Sequence, residues 1–264
     1  MVGGTTKLYL IVGHPISQVK SPEIFNERFA ENSIDAVMIP LDIDPSGLSS
    51  FVDMFRQSKN IHGAVVTIPY KQRIVPYIDR PSVQVSALGA ANVIRVARSR
   101  EIEGDMVDGK GFLRALSKKN VSLQNKHVFI IGCGGAGSAV AWDVLHVGAA
   151  RVSLLDVSHD KAKDLHVRLV AHYPDRHIRV VSNPPASFDL VLNATPLGMQ
   201  STDPMPMAVE KIPAGAIVTD AVTSPPLTPF LERAKVTGHI VQSGPEMAAG
   251  QAPLIAAFFG IKDP

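Results

Sequence analysis

The chain of 264 residues has a single cysteine, Cys133, and little excess of either charge. One thiol excludes an internal disulfide and any metal site built from several thiolates. Its 26 Lys and Arg against 24 Asp and Glu, a formal +2, supply no basic stripe for nucleic acid or an anionic membrane surface. No stretch approaches the roughly 18 uncharged apolar residues of a membrane span. The opening "MVGGTTKLYLIVGHP" has no basic region and no cleavage site, so a secretory leader is not expected and a cytoplasmic location is. Nine histidines are scattered without a His-x-x-x-His pair beside an acid on one helix, and no catalytic metal is expected. Low-complexity segments and tandem repeats are absent as well.

What is present is an alternation of short apolar runs and helical patterns. The length suits two domains with a core each, and 45% apolar with 19% charged residues is ordinary for a folded enzyme. "KLYLIVG", "AVMIPLDI", "GAVVTIP" and "AANVIRV" read as a first set of strands. "HVFIIG", "RVSLLD", "IRVVS", "DLVLNAT" and "AIVTDAV" read as a second. Unbroken apolar runs mark strands buried on both faces, and alternating β and α units imply parallel sheets covered by helices. Helices are expected from Ser21-Pro22, with Ser21 as N-cap, over "SGLSSFVDMFRQS" and "YKQRIVPYI", and around 136–147, 161–171 and 227–236. About ten strands exceed one ordinary sheet. The expected class is therefore α/β in two domains. An N-terminal α/β substrate domain with a mainly parallel sheet covers 1–104, and a Rossmann-type doubly wound NAD-binding domain covers 105–242. The break falls in the charged loop 98–103, and a final helix over 243–264 packs back on the first domain.

The sharpest local signal is "HVFIIGCGGAGSAVAWDVL", an apolar strand ending in Gly132-Cys133-Gly134-Gly135-Ala136-Gly137 with a helix directly after it. G-x-G-x-x-G in that context is a dinucleotide fingerprint. Gly132 makes the tight turn, Gly134 admits the pyrophosphate, Gly137 packs helix on strand, and the helix N-terminus attracts phosphate. The next strand closes on Asp156, placed to bond both ribose hydroxyls and repel a 2′-phosphate, so NAD is expected over NADP. The alternative is a glycine turn that merely connects two elements. Cys133 reads as a small turn residue rather than a nucleophile.

Hydride transfer from an alcohol requires a group to take the hydroxyl proton. Lys71, just after the "VVTIP" strand, and Asp108, ahead of the next helical pattern, are candidates. Lys71 as a base needs desolvation or cationic neighbours; beside a carboxylate it stays charged and polarises oxygen instead, with Asp108 relaying the proton. Lys71 reads equally as a surface lysine, and Asp108 as a helix N-cap.

Eight phrases run in order: "GHPISQVKSPEIFN", "GAVVTIPYKQ", "ALGAANV", "GDMVDGKGF", "GCGGAGSAV", "NATPLGM", "DAVTSPPLTPFL" and "GPEMAAGQAP". Together they resemble the shikimate dehydrogenase family along nearly the whole chain. The resemblance implies that Lys71 and Asp108 form the catalytic pair. It implies substrate contacts from Ser21, Thr67, Asn92, Thr223 and Gln251. It places Asn193 to Met199, including Thr195 and Pro196, on the nicotinamide side, with Gly244 and Met247 as further cofactor contacts. The implied partner is a small cyclic hydroxy acid, oxidised at a ring hydroxyl or formed by reduction of the matching ketone, in a monomer or homodimer. The chain departs from the family's pattern at Val19, Val65, Val93, Met106, Val107 and Thr223, where polar residues are usual. Lost donors weaken a ring carboxylate's hold, at about 1.5–3 kcal/mol each. A modified substrate such as an aminoshikimate, and a non-catalytic NAD-binding sensor, are the rival readings. A folate or amino-acid dehydrogenase is a third, and it accounts for neither Lys71 nor Gln251.

Overall fold

The computed structural model describes residues 2–261, so positions 262–264 of the expected last helix lie outside the described residues. The chain divides into two compact units, one running to Val107 and resuming at Gln251, the other spanning Asp108–Gly250. Among the described residues no helix is long and apolar enough to cross a membrane.

The first unit comprises β1 (Lys7–Gly13), α1 (Ser21–Glu31), β2 (Ala36–Asp42), α2 (Leu48–Gln57), β3 (Ile61–Val66), β4 (Arg80–Pro81), α3 (Val83–Leu88), β5 (Val93–Val96) and β6 (Ile102–Asp105). Its sheet has the order β2-β1-β3-β5-β6-β4. β1 lies between β2 and β3 and pairs parallel with both, which is why its apolar run does not alternate. β5 then runs antiparallel to β3 and β6 antiparallel to β5, while β4 is parallel to β6.

Three local expectations are corrected in this unit. Residues 70–78 form successive turns ending in a single 3-10 turn, Val75–Tyr77, because Pro76 removes a donor that a helix needs. Part of the charged loop is strand β6, reached through a tight turn in which Arg100 takes a left-handed φ of 70° and Ala97 N–H donates to the Glu101 carbonyl at 2.8 Å. The N-cap of α1 is Lys20, without a side-chain cap, so Ser21 already lies inside the helix.

The second unit comprises α4 (Asp108–Ser117), β7 (His127–Ile131), α5 (Gly135–His146), β8 (Arg151–Leu155), α6 (His159–His172), β9 (His177–Val180), β10 (Leu190–Asn193), β11 (Ile217–Asp220), α7 (Pro229–Val236) and β12 (Val241–Gln242). α8 (Gly244–Phe259) begins here, and from Gln251 onward its residues belong to the first unit. All strands pair parallel in the order β9-β8-β7-β10-β11-β12, the 3-2-1-4-5-6 arrangement of a doubly wound sheet. The order reverses between β7 and β10, and ligands bind beyond the strand ends at such a reversal.

Each unit has its own core. In the first, Tyr9 lies 5.6 Å from Phe29 and stacks on Phe259 at 5.1 Å, centroid to centroid, among Phe25, Val65, Val93, Val107 and Ile255. A Cβ on Gly63 would lie 2.5 Å from the Phe259 ring, so only glycine admits that ring against β3. In the second, Phe129, Phe188, Val191, Val218, Phe230 and Leu231 fill the space between sheet and helices.

Candidate active site

The glycine turn follows β7 directly. Gly132 takes φ +100°, a left-handed conformation that glycine adopts without steric cost. A Cβ on Gly137 would lie 1.9 Å from the Gly132 carbonyl oxygen, so the first turn of α5 closes onto the strand end. A Cβ on Gly134 would meet nothing within 4 Å: it points into open space. Gly135 and Ala136 open α5, whose first N–H groups lack intrahelical partners and face an approaching anion with the positive end of the helix dipole. An open approach over Gly134, beside a helix N-terminus, fits the pyrophosphate of a nicotinamide dinucleotide.

Asp156, at the end of β8, has a local structural task. Its Oδ2 accepts from Cys133 N–H at 2.7 Å and its Oδ1 from Ser158 N–H at 2.8 Å. The carboxylate thus braces the glycine turn and leads into α6, which Ser158 caps through Lys161 N–H. Cys133 is buried, and burial, assisted by the Asp156 charge, pushes its thiol up to about 12, so it is not a thiolate nucleophile at neutral pH.

On the other side of the reversal, Asn193 ends β10 in register with Ile131. A Cβ on Gly132 would lie 2.8 Å from the Ala194 carbonyl, so the glycine turn and the segment Asn193–Met199 meet. The buried Asn193 amide shapes that segment. Its Oδ1 accepts from Thr195 N–H at 3.1 Å and from Thr195 Oγ1 at 2.6 Å, and its Nδ2 donates to the Leu197 carbonyl at 2.9 Å. Thr195 Oγ1 in turn accepts from Leu197 N–H at 3.1 Å. Pro196 is exposed, and Met199 N–H donates back to the Pro196 carbonyl at 3.1 Å.

In the first unit the ends of β1, β3 and β5 gather Thr67, Lys71 and Asn92. Thr67 N–H donates to the Val12 carbonyl at 2.9 Å, and a Cβ on Gly13 would strike Thr67 Cγ2 at 2.5 Å. Lys71 is half-buried, and its carbonyl accepts from Ala91 N–H at 2.7 Å. Its neighbour Tyr70 is fully buried and donates its hydroxyl to the Ile43 carbonyl, which fixes the turn bearing the lysine. Asn92 is buried, accepting from Val107 N–H through Oδ1 at 2.8 Å, while its carbonyl accepts from Val66 N–H at 2.7 Å. Ser21 is partly exposed at the head of α1, and Gln251 is partly exposed in α8. Val65, Val93, Met106 and Val107 are buried apolar residues at positions where the resemblance leads one to expect polar groups.

In the second unit Asp108 is buried at the first position of α4. Gly109 allows α4 to approach α5 closely: a Cβ there would lie 2.4 Å from the Ala139 carbonyl. Thr223 is half-buried after β11, and a Cβ on Gly244 would lie 2.0 Å from the Val222 carbonyl, which brings the start of α8 against the Thr223 segment. Met247 is buried one turn further on.

Asp220 and Thr228 escaped the sequence reading. Asp220 ends β11 in register with Asn193, and an acid closing an apolar strand was the available signal. Its Oδ1 accepts from Asn193 Nδ2 at 3.1 Å and Val222 N–H at 2.9 Å, and its Oδ2 accepts from Thr228 Oγ1 at 2.8 Å. Tyr70 was quoted only as part of a phrase, and its anchoring role needed coordinates.

A doubly wound parallel sheet with an open glycine turn at its reversal defines a protein of the dinucleotide-binding α/β class. A family profile described as "Shikimate dehydrogenase substrate binding domain" matches residues 11–94. A protein of Alkaliphilus oremlandii named "Shikimate dehydrogenase (NADP(+))" is 30% identical over 258 residues, covering 94% of this chain and 90% of its own. One of Salinibacter ruber with the same name is 33% identical over 259 residues, with 94% and 90% covered. The crystal structure of the Thermus thermophilus shikimate 5-dehydrogenase in complex with NADP(H) and shikimate superimposes with a TM-score of 0.87 at 25% identity, over 98% of this chain and 95% of that one. The chain belongs to the shikimate dehydrogenase family, whose members act on CH–OH groups. The expectation of NAD over NADP is overturned, since these relatives are named for NADP(+). The physical reason lies in Asp156: each oxygen already accepts a backbone N–H, so an acid at that strand end has a role in the turn itself and its presence alone does not select NAD.

Proposed function

We propose that the chain catalyses oxidation of a ring hydroxyl of shikimate or a related cyclic hydroxy acid, and the reverse ketone reduction, with NADP(H). The first unit takes the ring acid and the second the dinucleotide. Bound, the dinucleotide supplies the hydride acceptor or donor. Lys71 holds its ammonium at the reacting oxygen and polarises it, and Asp108 relays the hydroxyl proton. Thr67, Asn92, Ser21, Thr223 and Gln251 orient the ring acid through hydrogen bonds. The Gly132–Gly137 turn receives the pyrophosphate, and Asn193–Met199 with Gly244 and Met247 flank the nicotinamide. Ser158, His159 and Lys161, in and before the opening turn of α6, are the groups this chain offers a 2′-phosphate.

The observation that carries this reading is family membership over nearly the full chain together with Lys71 fixed at the end of β3. The test is Lys71→Ala assayed with NADP and shikimate, quinate and their analogues. Turnover falls by about 10²–10⁴-fold, while dinucleotide affinity, set in the other unit, stays within about twofold. Unchanged turnover in the variant, or no turnover of any ring acid by the parent protein, defeats the proposal.

A further inference from the structure

The polar groups beyond the ends of β10 and β11 form one network. Asp220 receives Asn193 Nδ2, Val222 N–H and Thr228 Oγ1 on its two oxygens. As arranged, all three donate to the carboxylate form; a protonated Oδ2 would require the Thr228 hydroxyl to reverse its role. Thr228 caps α7 through Leu231 N–H, and Asn193 folds the 193–199 segment onto itself through Thr195 and Leu197. Asp220 therefore joins three pieces that local sequence does not connect: the 193–199 segment, the 221–223 segment and the head of α7. It is 1% exposed, and burial raises its carboxyl to about 6. An ionised group there is held against its desolvation cost at neutral pH.

We propose that Asp220 is a positioning residue for the dinucleotide: through Asn193 it holds Asn193–Met199 in the shape that receives the nicotinamide end, and through Val222 and Thr228 it anchors that end of the network. The inference rests on the reading that Asn193–Met199 flanks the nicotinamide. Asp220 touches neither substrate nor dinucleotide, and its effect passes through Asn193.

The variants Asp220→Asn and Asp220→Ala separate positioning from packing. In Asp220→Asn the side-chain oxygen still accepts from Asn193 and Val222, and the new amide donates to the Thr228 hydroxyl, which can reverse its role. Asp220→Ala removes all three contacts. NADPH affinity is read by fluorescence titration, and KM values for NADP and for shikimate by steady-state assay, on full-length protein with intact circular dichroism. Expected is a rise of about tenfold or more in the NADP KM and NADPH Kd for Asp220→Ala, with Asp220→Asn recovering most of it. The shikimate KM rises by a smaller factor than the NADP terms, because of the ring acid's contacts only Thr223 adjoins this network. Should Asp220→Ala not fold, Asp220→Asn carries the test, with an expected loss of about twofold to fivefold confined to the NADP terms. NADP affinities unchanged in whichever folded variant carries the test, or an equal rise in both substrates' KM, overturns the inference. Failure of the parent protein to bind NADPH at all would instead strike the underlying reading of the site.

Discussion

Asp220 also makes a prediction about stability, and its sign runs against the usual carboxylate. Where a surface acid shifts in this fold its carboxyl is lowered, as at Asp79 beside Arg56 and the Ile102 N–H. Asp220 is raised from 3.8 to about 6, because burial outweighs the donors from Val222, Thr228 and Asn193. The folded state then binds the proton more tightly than the unfolded chain. The favourable contribution is present below the unfolded value and disappears as pH climbs through the folded one. A shift from 3.8 to about 6 is roughly two units, or about 3 kcal/mol. Urea unfolding of the parent and Asp220→Asn proteins between pH 4 and 7 measures it. The parent should lose about 2 kcal/mol relative to the variant as pH rises across that window, and a constant difference would refute the assignment.

At the scale of the element, the strand–turn–helix β7–α5 separates a packing glycine from a binding glycine. Gly137 has the Gly132 carbonyl oxygen 1.9 Å from where its Cβ would be, so alanine there must push α5 off the strand. Gly134 has nothing within 4 Å, and its backbone at φ −75° and ψ −166° suits any residue. Gly137→Ala should therefore cost about 1–3 kcal/mol of stability by overpacking. Gly134→Ala should melt within about 0.5 kcal/mol of the parent yet bind NADPH at least about tenfold more weakly, since its methyl occupies the approach to the pyrophosphate. Thermal melts with and without NADPH check both. If Gly134→Ala keeps full affinity, the pyrophosphate does not cross that glycine. The same element shows what sequence discloses: spacing and context located the turn, because the strand, the turn and the helix that gives Gly137 its close contact follow one another directly in the chain. The segment at 70–78 was misread as helix because its apolar spacing is helical, while the constraints that win come from Pro76 and from Tyr70 reaching Ile43 across the sheet.

Across the whole molecule, strands β7–β11 of the second unit were legible because apolar runs and turn residues alternate there with little interruption, whereas the two-residue β12 was not. Neither was β6, since Ile102-Glu103-Gly104-Asp105 is short and charged and takes its place between β5 and β4 through pairing that sequence does not show. The polar network around Asp220 was hidden for the same reason, as it joins residues 193, 220 and 228 through tertiary contacts alone. Asp156 was visible, but the NAD preference drawn from it was not sound, since sequence shows the acid and not the backbone N–H groups it also braces. The division into two units with separate cores has a thermodynamic consequence. The single tryptophan, Trp142, lies in α5, packed 4.9 Å from the His172 ring and 5.1 Å from Tyr173, centroid to centroid, so its fluorescence reports the second unit. Far-ultraviolet circular dichroism reports both units. A ligand that binds only folded protein stabilises it by RT ln(1 + [L]/Kd), about 2.7 kcal/mol at a hundredfold excess over Kd. NADPH should therefore raise the midpoint of the Trp142 transition with its concentration. Part of the dichroism change, belonging to the first unit's sheet, should stay where it was or move less. A Trp142 transition indifferent to NADPH at a hundred times the titrated Kd would mean that the dinucleotide does not bind to the unit holding the glycine turn.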